Sequence, residues 1–213
     1  MLIYSAGWLA GFGVIKALVK EWDHIIMDQL SHNCLQEGAN AATRNVQKFQ
    51  HLNHEDMAER LKKTREQDPD NAILVITEGL FSMDSDTSDL NETQRICKKY
   101  GAFLLIDSAH DFGCMGDNGR GNWEVQKLQD LSNVILIGTG SKTLSTNIGF
   151  VGCNHPKVIE YLKYYSTAYL FTNAINPVQA ATSLANLRIL RSELGRQLRK
   201  KVIENYNYLR AKL

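Results

Sequence analysis

The chain has 213 residues and a 44% hydrophobic content, enough for one large globular domain or two small ones. Its 24 Lys and Arg balance 23 Asp and Glu, so no global field draws nucleic acid or an anionic membrane, and any anion must be held by a local site. Cys34, Cys97, Cys114 and Cys153 make neither a CxxC pair nor a set with a His at ligand spacing, which excludes an evident zinc site or disulfide framework and points to reduced thiols in the cytoplasm.

Near the start, Gly7, Gly11 and Gly13 interrupt the apolar residues, and Lys16, Lys20 and Glu21 follow, so neither a signal peptide nor a spanning helix is expected. Residues 5–11 read as a small-residue turn opening a helix over residues 12–19. The free N–H groups of that helix start offer an anion site, although tight packing of a helix end explains the same residues equally well. Asp23-His-Ile-Ile-Met-Asp28 predicts a short strand, and Ser31 the N-cap of the next helix. His32 falls just past the strand, where a surface or capping histidine is the simpler assignment. Residues 53–68 are densely charged with Met57 and Leu61 four apart, the pattern of a solvated amphipathic helix.

Residues 72–77 predict a buried strand leading into Glu78-Gly-Leu-Phe-Ser-Met-Asp84, residues 89–100 a helix stopped by Gly101, and residues 102–107 a strand that ends in Asp107. Val134-Ile-Leu-Ile is a third apolar run, followed by the turn Gly138-Thr-Gly-Ser and by Lys142. That turn brings backbone N–H groups and two hydroxyls together, and the lysine stands at a strand's carboxyl end, where open α/β sheets bind ligands. An amine there can form a Schiff base with a carbonyl. On this stretch alone an ordinary surface lysine is the simpler explanation. A strand over residues 148–152, a helix over 156–165, a loop over 169–173 and a helix from Val178 almost to the end complete the pattern.

Strand and helix alternating in this way predict a three-layer α/β/α fold with a mostly parallel sheet. The strand ends would bring Ser82, Asp107, His110, Thr139 and Lys142 to one edge. A carboxylate that keeps a pyridine nitrogen protonated, beside an amine for an aldehyde, is what pyridoxal phosphate chemistry requires.

Four segments, Thr77-Glu-Gly-Leu-Phe-Ser-Met-Asp84, Ile106-Asp-Ser-Ala-His-Asp-Phe-Gly113, Gly116-Asp-Asn-Gly-Arg-Gly121 and Gly138-Thr-Gly-Ser-Lys142, resemble in order and spacing those of the α-oxoamine synthases, fold-type I transferases of the aspartate aminotransferase-like class. The resemblance extends over nearly the whole chain. It implies pyridoxal 5'-phosphate as cofactor, with Lys142 its covalent anchor, Asp107 the partner of its ring nitrogen and His32 stacked on its face. It places His110 at the phenolic oxygen with Ser82 nearby, and Gly7, Trp8 and Thr139 on the phosphate side, with Ser141 also among the cofactor-binding residues. Thr172 and Asn173 would reach the phosphate of a neighbouring subunit, which implies a homodimer with a shared site.

The implied reaction condenses an amino acid with an acyl thioester, on CoA or an acyl-carrier protein, and releases carbon dioxide to leave an α-amino ketone. The resemblance leaves open an aminotransferase or lyase on the same fold, a non-catalytic partner subunit, and a specialised oxoamine synthase domain of the saxitoxin-assembly type. Asp107-Ser-Ala-His110 departs from the usual Asp-Glu-Ala-His, and Ser145-Thr-Asn-Ile148 replaces a glycine-rich run, which predicts a pocket for a different amino acid. Residues 1–213 are expected to be a single cofactor-binding large domain. Residues 178–213 would form one long helix leading to a small C-terminal domain outside this sequence.

Overall fold

The computed structural model describes residues 1–212. Seven strands form one sheet in the order β1-β7-β6-β5-β4-β2-β3. In chain order the elements begin β1 (Leu2–Tyr4), α1 (Gly7–Leu18), β2 (His24–Asp28), α2 (Asn33–Ala42), β3 (Val46–Phe49), α3 (His54–Gln67), β4 (Ile73–Glu78) and α4 (Leu90–Lys99). They continue β5 (Phe103–Asp107), α5 (Asn122–Val125), β6 (Val134–Thr139), β7 (Gly149–Cys153), α6 (Pro156–Tyr165), α7 (Thr167–Leu170), α8 (Pro177–Leu190) and α9 (Glu193–Arg210). The strands β3, β2, β4, β5 and β6 run parallel, and β7 is antiparallel to both β6 and β1. The mostly parallel sheet expected from the alternation is therefore present.

Two apolar cores lie on opposite faces of that sheet. On one, α1 and α2 pack on Ile25, Met27, Leu74, Ile76, Leu105, Ile135 and Ile137. On the other, Met57 and Leu61 of α3 and Leu90, Ile96 and Cys97 of α4 cover Ile26, Val75, Leu104 and Ile106. Successive residues of a strand thus feed alternate cores, which is why the central strands are continuous apolar runs.

Several local expectations are corrected. Helix α1 starts at Gly7, not after a turn ending at Gly11, because its glycines serve as contacts: a Cβ on Gly11 would meet Cys34 Sγ at 2.6 Å and one on Gly13 would meet Ala168 at 2.6 Å. Ser31 is not the N-cap of α2; His32 is, through its side chain, and Ser31 is buried with an unpartnered hydroxyl. Residues 169–173 are not all loop, since α7 runs to Leu170. The single helix expected from residue 178 onward is two helices. Ser192 interrupts it, its hydroxyl donating to the Ile189 carbonyl at 2.7 Å and accepting from the Gly195 N–H at 3.4 Å as the N-cap of α9.

Candidate functional site

Parallel strands deliver their last residues to one edge. Glu78 ends β4 and Asp107 ends β5, and the two are in register, while Thr139 ends β6 next door. Above them lies a cavity of about 390 Å³ whose lining includes Ser5, Gly7, Trp8, His32, Cys34, Glu78, Asp107, His110, Thr139, Ser141, Lys142 and Asn147.

One end of the cavity suits an anion. Helix α1 begins there with Ala6 as N-cap, no side chain caps it, and no acidic residue occupies its first turn, so its N–H groups and positive dipole end stay available. The Gly7 position touches the strand: a Cβ there would lie 2.4 Å from Thr139 Oγ1. Thr139 donates its hydroxyl to the Ile148 carbonyl at 3.0 Å and accepts from the Ser141 N–H at 3.1 Å, with Ser141 Oγ at 2.9 Å. Hydroxyls and helix N–H groups therefore converge on one spot, with Lys142 beside them.

The floor suits a cation. Asp107 is buried at 5% exposure, and one carboxylate oxygen accepts from the Ala109 N–H at 2.9 Å. Burial pushes its pKa up to about 7; the Ala109 bond and Lys142 pull it down, and Asp111 adds to the rise. Such a carboxyl has capacity for a protonated nitrogen brought to it by a ligand. His32 stands at the side, held by its own helix: its Nδ1 accepts from the Cys34 N–H at 3.2 Å, with Cys34 Sγ 3.1 Å away. Nδ1 is thus an acceptor, and in the neutral ring the proton belongs on Nε2. Burial first and Lys142 second lower the His32 pKa, and burial, Lys142 and then His32 lower that of His110, so both rings stay neutral at pH 7.

Of the residues expected at the site, Gly7, Trp8, His32, Asp107, His110, Thr139, Ser141 and Lys142 line this cavity. Ser82 does not. It sits exposed on the turn after β4, where buried Phe81 donates its N–H to the Asp86 carbonyl and turns the chain away from the sheet edge. Thr172 and Asn173 also lie outside it, in a neighbouring hollow with Ile3, Ser5 and Tyr169; Ser5 lines both, and its hydroxyl donates to Thr172 Oγ1 at 3.4 Å.

Glu78, Cys34 and Asn147 line the cavity without a counterpart in the sequence-based expectations. The signal for Glu78 was its place: it ends β4 as Asp107 ends β5. The loop that carries His32 is clamped from outside by His51, which bridges Asp28 at 2.9 Å and Asp86 at 3.0 Å and packs edge-on against Phe81 at 4.5 Å.

An anion cradle, an amine and a buried carboxylate at the ends of adjacent parallel strands make an α/β site suited to a small group carrying an anion, a carbonyl and a basic nitrogen. The aminotransferase class I and II family model matches residues 1–213, and the chain belongs to that family. Its relatives there include α-oxoamine synthases. It is 34% identical over 189 residues to serine palmitoyltransferase of Sphingomonas paucimobilis, a match covering 89% of this chain and 44% of the relative. It is 31% identical over 213 residues to 8-amino-7-oxononanoate synthase of Marinomonas sp., covering 100% and 51%. A solved variant of the S. paucimobilis serine palmitoyltransferase with bound PLP–myriocin aldimine superposes with a TM-score of 0.84 at 33% identity, over 90% of this chain and 48% of that one. The chain spans about half the length of the relatives it matches. No helix among the described residues is long and apolar enough to cross a membrane.

Proposed function

We propose that this chain is the cofactor-binding part of a pyridoxal phosphate-dependent C-acyltransferase that condenses an amino acid with an acyl thioester to an α-amino ketone. The observation that carries the proposal is the convergence of Lys142, Asp107 and the uncapped start of α1 on one cavity. The residues fit the cofactor: hydroxyls and helix N–H groups for its phosphate, an amine for its aldehyde, and a buried carboxyl with spare capacity for its ring nitrogen. When bound, the cofactor supplies an electron sink for negative charge developing at the α-carbon of an attached amino acid.

The chain's own groups do the rest. Asp107 in ionised form would hold a proton on the cofactor's ring nitrogen, and its burial would make that pairing strong because little water competes. Lys142 would hold the cofactor's aldehyde, and its amine is placed to carry a proton to or from the α-carbon of a bound amino acid. His32 offers a neutral ring face and an Nε2–H donor, fixed in that tautomer by the Cys34 N–H. Trp8 stacks on Phe12 at 5.1 Å and donates to Asn33 Oδ1 at 3.3 Å, which sets the rim between α1 and α2. An acyl thioester, from CoA or a carrier protein, is the second substrate by likeness to the relatives, and a homodimer is the assembly in which Thr172 and Asn173 would serve a neighbouring site. Residues 1–213 form the large domain in this scheme.

Borohydride reduction of protein loaded with pyridoxal phosphate, followed by peptide mapping, tests the anchor: the label is expected on Lys142 and is abolished in Lys142→Ala. A label on another lysine overturns the assignment. Release of free thiol from an acyl thioester only when an amino acid is present tests the condensation; amino acid consumption without thioester would instead mark an aminotransferase.

A further inference from the structure

Glu78 is a buried carboxyl with no assigned task. It is 3% exposed, ends β4 in register with Asp107 on β5, and lines the same cavity. Its Oε1 accepts the His32 N–H at 2.6 Å, which ties the strand end to the loop that carries the cavity histidine. No Lys, Arg or His among the described residues forms an ion pair with it. The titratable groups around it are Asp107 on β5, Asp28 at the end of β2, Asp111 beyond β5 and Cys34 on α2, with His32, His110 and Lys142 lining the same cavity. Three of those seven are carboxyls.

Adjacent carboxyls in a dry site cannot both ionise cheaply, because each charge disfavours the other and the pair titrates in two separated steps. We propose that Glu78 is a positioning residue that holds a proton beside Asp107 at neutral pH, so that a single negative charge, on Asp107, faces the ring nitrogen while Glu78 anchors His32. The proton resides on the carboxyl oxygen that is not bonded to the His32 N–H. No bond other than O–H changes. Burial, followed by the charge of Asp107, lifts the Glu78 pKa to about 8, against the opposing pull of the His32 N–H, which agrees with this assignment.

The role refines the cofactor site proposed above and rests on that proposal for its consequence, yet its test needs no cofactor. Carboxyl carbon NMR of the cofactor-free protein, labelled at Glu and Asp, should show a late ionisation step above pH 7 that disappears in Glu78→Gln. The variant keeps an oxygen for the His32 N–H, so the fold is preserved. In Asp107→Asn the Glu78 step should move to lower pH, its acid constant rising at least ~10-fold as the like charge is removed. A Glu78 carboxyl already ionised at pH 7, or one whose titration is unmoved in Asp107→Asn, overturns the inference. Failure to trap cofactor on Lys142 would count against the cofactor proposal alone.

Discussion

Asp107→Asn separates the cost of burying this carboxyl from its use. In the cofactor-free protein its pKa rises from the ordinary 3.8 to about 7, chiefly through burial. A raised acid favours the fold fully below the unfolded pKa, and that contribution is lost as pH rises through the folded one. At ~1.4 kcal/mol per tenfold change in proton affinity, keeping Asp107 ionised in the fold costs a ceiling of roughly 4 kcal/mol at pH 8. Asparagine is neutral throughout and still offers an oxygen to the Ala109 N–H. The variant should therefore match wild type near pH 4 and exceed it by a few kcal/mol at pH 8, as measured by urea unfolding without cofactor. Saturating pyridoxal phosphate should reverse the order, because only the ionised carboxylate pairs with the protonated ring nitrogen and ligand binding adds to stability. A variant no more stable than wild type at pH 8 without cofactor would refute the account of Asp107 as a strained acid awaiting a cation.

Gly7→Ala places a methyl 2.4 Å from Thr139 Oγ1, so α1 must shift; stability should fall by about 1–3 kcal/mol, as for other overpacked sites, and titration with pyridoxal phosphate should show weaker binding. His51→Gln should cost more at pH 5.5 than at pH 9. Burial lowers the His51 pKa, but its bonds to Asp28 and Asp86 outweigh that and raise it, so its stabilising charge is present below 6.5 and fades as pH climbs through the raised value; thermal unfolding at the two pH values checks the sign. Arg199→Met removes donors from the Leu190 carbonyl at 2.8 Å and the Asp117 carbonyl at 2.6 Å. A loss of about 2 kcal/mol is expected for the unpaired acceptors, with faster amide exchange across residues 194–210 if Arg199 is what ties α9 to the 117–120 loop.

What could be seen in the sequence follows from how each part is held. The strands β4, β5 and β6 are buried on both faces, so their apolar runs are unbroken, and their polar end groups stand out against them. Asp107 and Lys142 are legible for that reason: each follows such a run, and a parallel sheet aligns the ends of its strands. The edges lack this signature. β1 has three residues, and β3 places two polar residues, Gln47 and Lys48, between Val46 and Phe49 with only Phe49 fully buried, a pattern no stronger than that of a turn.

Distance along a loop is a poorer guide than distance along a strand. Ser82 is four residues past the end of β4, yet the burial of Phe81 and its bond to Asp86 carry it outward. Glu78, by contrast, needs no loop to place it. It belongs to the strand, and its register with Asp107 puts both carboxyls on one face because side chains at paired positions of adjacent strands point the same way. Seen alone, each acid reads as a polar residue that marks a strand's end; only their pairing reveals two buried carboxyls competing for one proton. The chemistry of this site is therefore carried less by its motifs one at a time than by the register that sets them side by side.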